Sequence, residues 1–141
     1  MKKIVTAIVV CLAITSLSYA QCDKKVTIKA SKTEYLGADS SVERTVDEPS
    51  EIVFDKTSIT IVPGSEEKKM TGTISSYTCN FSKPFKDGKL VLKASLTNSG
   101  GESRGISITI ESKDGKTTLI AQPEGRDRII RVIVDTFEES K

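Results

Sequence analysis

The side chains able to do chemistry in this chain are three cysteines, Cys11, Cys22 and Cys79, and a cluster of carboxylates, Glu43, Asp47, Glu48, Glu51 and Asp55. Histidine is absent from all 141 residues. That removes the Ser–His and Cys–His nucleophile pairs, the usual zinc ligands and the commonest general base at neutral pH. Two carboxylates facing one cleft could still hydrolyse a glycoside. The five candidates instead follow one polar stretch around Pro49, the pattern of a solvent-exposed hairpin. They also lack the calcium-loop spacing with its glycine and terminal glutamate. No phosphate-cradling glycine loop is present, because the glycines sit in turn sequences. The inventory points to a protein that is not an enzyme and needs no cofactor and no metal.

The fate of the cysteines depends on the first twenty residues. Met1-Lys2-Lys3 is a short positive start, and Ile4 to Leu17 is apolar except for Thr6, Thr15 and Ser16. Ser18-Tyr19-Ala20 then sets small residues at the positions that signal peptidase reads. A transmembrane helix needs about 20 apolar residues, more than this run supplies. Gln21 precedes Cys22, where a lipidation signal wants Gly, Ala or Ser. The expected organisation is a cleaved bacterial-type secretory signal over residues 1–20, cut after Ala20, and a single domain over 21–141. The product is exported to the periplasm or beyond, with neither membrane insertion nor a lipid anchor.

Cleavage removes Cys11 and leaves Cys22 and Cys79 in an oxidising compartment. A bridge between them would restrain the unfolded chain by roughly 4 kcal/mol. The other reading is a buried, unbridged Cys79 beside Tyr77 and Phe81, with Cys22 free; geometry decides between them. The chain has no Cys-x-x-Cys pair, so redox catalysis is not indicated.

Charge narrows the partners. The chain has 21 Lys and Arg against 19 Asp and Glu, and loss of Lys2 and Lys3 with the signal makes it neutral. Nucleic-acid binders carry a basic excess or patch, so no nucleic acid is expected. The densest basic run, Arg126 to Arg131, contains Asp127 and reads as a solvated strand face with cross-strand ion pairs. With no Trp and few other rings, a ligand-stacking platform is disfavoured. Phe85, between Pro84 and Lys86, is the ring nearest to exposure, and a core-edge role is favoured for it. Asn80-Phe81-Ser82 fits the N-glycosylation pattern and is taken as chance in a bacterial protein.

The elements that must position any site are strands. Val26, Ile28 and Ala30 alternate with polar residues, as do Ile59 and Ile61, then Leu90 to Leu96, then Ile106 to Ile110. Turn sequences separate these runs: Gly37-Ala38-Asp39, Pro63-Gly64-Ser65, Asp87-Gly88, Ser99-Gly100-Gly101, Asp114-Gly115 and Glu124-Gly125. The expected fold is all-β, an antiparallel meander of about eight strands, closing as an up-and-down barrel in preference to a β-sandwich. In "MTGTISSYTCNF" the apolar parity changes across Ser75-Ser76, which calls for a β-bulge, and Gly72 suits a bend. Ile129 to Val134 is apolar on both faces except at Arg131, as in a central or doubly covered strand.

The strand "IVFDKTSITIV" leading into "KKMTGTISSY", residues 52–77, resembles the middle hairpins of small secreted bacterial lipocalin-like domains. The chain lacks the Gly-x-Trp of true lipocalins, having no Trp. The resemblance implies an up-and-down barrel whose apolar interior takes a small lipid-like ligand. The residues chosen as its lining are Ile74, Tyr77, Leu92, Leu96, Ile108 and Val132. The competing expectation is that these side chains fill the interior completely. The alternative function is a β-sandwich interaction module at the cell surface, binding a protein through a sheet edge or loops.

Overall fold

Period-two alternation produces nine strands in the computed structural model, which describes residues 21–140. They are β1 (Val26–Leu36), β2 (Val42–Val46), β3 (Ser50–Phe54), β4 (Ser58–Pro63), β5 (Met70–Lys83), β6 (Asp87–Thr97), β7 (Ser103–Lys113), β8 (Lys116–Pro123) and β9 (Ile129–Glu139). The expected export signal and Cys11 lie outside the described residues. Every strand pairs antiparallel with its neighbours, in the order β2-β1-β3-β4-β5-β6-β7-β8-β9, and β1 also pairs with β9. That last pairing closes an eight-stranded up-and-down barrel from β1 and β3 to β9. The two-sheet sandwich does not form.

The extra strand has a local cause. β2 and β3 occupy the same edge of β1, with Val46 opposite Thr33 and Ser50 opposite Ala30. Pro49 falls between them and has no N–H to donate, so the ladder breaks there. Past the break, β2 keeps β1 as its neighbour and leaves its other edge unpaired.

Inward side chains meet in layers across the pairs. Leu92 faces Ile108, which faces Ala121; Leu90 faces Ile110, which faces Leu119, which faces Val132. Phe54, Ile28, Ile59, Leu90, Leu92, Ile108, Ile110, Leu119 and Val26 are fully buried, so the centre of the barrel is packed with side chains. Burying one such side chain contributes about 1.5–3 kcal/mol. The expected bulge is present: Ile74 faces Ala94 and Ser76 faces Lys93, leaving Ser75 unmatched. It moves the inward set of β5 from even residues to Tyr77, Cys79 and Phe81. Gly72 permits close strand approach, since a Cβ there would lie 2.3 Å from the Ser95 carbonyl oxygen.

Two expectations change. The Asp114-Gly115 turn forms as expected, with φ of 53° and 82°, but Asp87-Gly88 is not a turn. Lys83 faces Asp87 across Pro84-Phe85-Lys86, and Phe85 takes φ 61°. Its ring packs edge-on against Phe137 at 4.9 Å, and Phe137 packs against Phe81 at 5.9 Å. This aromatic group anchors the hairpin one step earlier, and it confirms the core-edge role of Phe85. Gly88 serves β6 instead, because a Cβ there would meet the Phe81 backbone at 2.5 Å. The second concerns β9: it is central as expected, paired on both edges, but the doubly covered alternative does not hold, and Ile133 stays 39% exposed. Among the described residues, nothing lies outside the single-layered barrel to cover it.

Candidate functional site

Up-and-down connectivity gathers the β1–β2, β4–β5, β6–β7 and β8–β9 connections at one end of the barrel, and the other hairpins and Cys22 at the opposite end. At the first end the packed interior stops short of the rim. A hollow of about 320 Å³ remains there, floored by Met70, Leu96, Ile106 and Ile130 with Pro123 at its side. Asn98, Glu102, Arg104 and Arg126 stand around its mouth.

Strand register puts Arg104 there. It lies opposite Leu96 in the β6–β7 ladder and therefore shares the inward face with Ile106, Ile108 and Ile110. It is the member of that stripe nearest the open end, where its charge can reach water. The neighbouring loops are ordered by their own hydrogen bonds. The Asn98 side-chain oxygen accepts from the backbone N–H groups of Gly100 (2.9 Å) and Glu102 (3.0 Å). Gly101 takes φ 83° to complete that turn. On the far side, the Glu124 N–H donates to the Gly105 carbonyl at 2.9 Å, which ties the loop carrying Arg126 to β7. Among the described residues, neither Arg104 nor Arg126 forms an ion pair. An apolar floor under a cationic rim can desolvate a small molecule's body while leaving a polar end at the surface.

The six residues chosen from sequence all face inward, but they do not form one site. Leu92, Ile108 and Val132 belong to the packed centre, and Ile74 and Tyr77 lie half-buried against it. Leu96 alone borders the hollow. The signal for Arg104 was its parity with Ile106 and Ile108; Arg126 was hidden in a run that resembled a solvated strand. That run does hold the expected cross-strand ion pair: Arg131 donates to Glu34 from Nε (3.2 Å) and a terminal nitrogen (3.1 Å).

The remaining candidates have separate occupations. Asp47 pairs with Lys32 at 3.8 Å and Glu48 with Lys68 at 3.7 Å. Asp55 accepts from the N–H groups of Thr57 and Ser58, both at 2.8 Å, and those bonds hold its pKa below the usual aspartate value. No three acidic or cysteine side chains gather into a metal-binding group among the described residues. Cys22 and Cys79 form a disulfide with Cα atoms 5.8 Å apart, at the end away from the hollow. It pins the short 3-10 turn Gln21–Asp23 against β5.

Beside that staple, Tyr77 packs on Phe54 at 6.3 Å, and its hydroxyl is shut off from solvent without a hydrogen-bond partner. Burial, with smaller contributions from Asp55 and Asp23, pushes its pKa from 10.0 to about 12. Between these values the unfolded chain loses a proton that the folded one retains. Stability therefore falls as pH rises through that window. Tyr77→Phe is expected to abolish this alkaline loss and to leave stability at neutral pH unchanged or up to about 1 kcal/mol higher, because an unsatisfied buried hydroxyl is removed. Urea unfolding at neutral and alkaline pH measures both effects.

Compared with protein-family models, curated proteins and solved structures, the chain matches none.

Proposed function

We propose that the chain is an exported, non-enzymatic bacterial binding protein that holds a small apolar molecule in the hollow at the loop end of its barrel. The observation that carries this reading is the apolar floor of Met70, Leu96, Ile106 and Ile130 left open above an otherwise filled core. Its volume, about 320 Å³, is at the small end of the range for ligand sites. The closed up-and-down barrel is compatible with the lipocalin-like resemblance, although the ligand position moves from the centre to the mouth. The Cys22–Cys79 disulfide fits an oxidising compartment and supports export, together with the signal-like residues 1–20.

The test is uptake of the uncharged dye phenylnaphthylamine by the folded protein, followed by fluorescence. Met70→Trp, which fills the hollow from its floor, is expected to weaken uptake at least about tenfold while the β-sheet circular dichroism is retained. Uptake equal in both proteins would contradict the assignment.

A second reading, a protein-interaction module, loses its sandwich but keeps one observation: the unpaired edge of β2. An extended partner segment could add a strand there. That reading expects the backbone amides of β2 to gain hydrogen-exchange protection when the partner binds, with the hollow unaffected.

A further inference from the structure

We infer that the molecule taken by the hollow is an amphiphile with one anionic oxygen head group, held by the Arg104 and Arg126 guanidinium groups. The inference rests on the binding reading above and adds the ligand's chemical class.

Arg104 occupies an inward position of the barrel, beside Leu96 and Ile106, where every lower member of its stripe is isoleucine until Ser112. A charge at such a position is tolerated only with water or a partner. Arg126 reaches the same hollow from a different loop, so two cations converge from separate elements. Neither forms an ion pair among the described residues. Of the side chains that line the hollow, Arg104 and Arg126 are basic and Glu102 is acidic, an excess of one positive charge there; the Glu124 carboxylate lies against Gly105, on the outward side of the same strand. Residues 21–141 are neutral as a whole, so the excess is local to the lining. Guanidinium groups match the paired oxygens of carboxylate, sulfonate or phosphate, and those bonds are the stronger, charge-assisted kind. The floor below excludes water from the apolar part of such a ligand. A fully apolar molecule would leave both cations without work to do, and a cationic amphiphile would be repelled.

Two dyes with the same rings separate the head group from the body: anilinonaphthalene sulfonate and uncharged phenylnaphthylamine. The wild-type protein is expected to bind the sulfonate roughly tenfold more tightly, the scale of one charge-assisted contact at a partly exposed site. Arg104→Gln with Arg126→Gln is expected to erase that preference, with a far smaller change for the uncharged dye; Arg104→Lys with Arg126→Lys should keep part of the preference. Both arginines are exposed, so the thermal midpoint should hold. Decanoate is expected to displace the sulfonate dye where decanol at the same concentration does not. Displacement by decanoate but not by phosphatidylglycerol vesicles identifies a free amphiphile as the source of the head group, and the converse identifies a membrane lipid. Equal binding of both dyes, unchanged by the arginine substitutions, would overturn the anionic class and leave the hollow as a binding site. Failure of the wild-type protein to bind either dye would overturn both.

Discussion

Cys22→Ala combined with Cys79→Ala is expected to lower the unfolding free energy by about 4 kcal/mol. The two residues are 57 apart in the sequence, so the bridge denies the unfolded chain a long loop's worth of freedom. Against a typical total of roughly 5–15 kcal/mol, that is a large share of the protein's stability. The loss adds to local effects. Cys22 is buried under the barrel, and without the bridge the turn Gln21–Asp23 keeps its packing on β5 and a salt bridge from Asp23 to Lys56. A urea midpoint that falls in the double variant, and falls equally in wild type given a reductant, is the expected measurement. The hollow lies at the opposite end, so dye uptake by the folded fraction should survive. A loss of uptake without a loss of stability would show that the two ends are coupled in a way the barrel does not suggest.

Leu92→Ala is expected to cost about 2–5 kcal/mol. Leu92 is wholly buried, with Ile108 and Tyr77 facing it from the adjoining strands. Barrel walls tied by continuous ladders cannot collapse far into the gap, which places the expected cost in the upper part of that range. The variant also distinguishes a packed centre from a hollow one. The central side chains of the wild type are fully buried, whereas the truncated protein should acquire a dry cavity that takes benzene or xenon. Binding of either at the centre of the wild-type protein would contradict the description of its core.

Much of the barrel was legible because one physical rule, alternation on a sheet with one buried face, governs β6 and β7 throughout and β1 as far as Ala30, past which its register shifts. The parity change at Ser75 was legible for the same reason: a strand that keeps burying one face must insert a residue to switch parity. The turns were only partly so. Asp114-Gly115 and Asp87-Gly88 are equivalent as dipeptides, and only tertiary packing of Phe85 on Phe137 moves the second turn to Pro84-Phe85-Lys86. The disulfide could not be decided without geometry, because both cysteines had adequate separate fates. The hollow was the least visible feature. Its floor is made of the same residue types as the core, and where packing stops is set by the loops at the mouth. Of its rim arginines, Arg104 is marked only by its parity with Ile106 and Ile108, and Arg126 sits in the loop before β9, whose approach to the hollow no strand pattern displays.

The most direct test of a ligand-binding barrel is native mass spectrometry of the protein, isolated gently from its own host, beside the Met70→Trp variant prepared in the same way. A small additional mass on the wild-type protein, lost on denaturation and missing from the variant, is the expected result, and the mass itself would identify the ligand. A bare wild-type chain, or an adduct that the filled hollow of Met70→Trp retains, would contradict it.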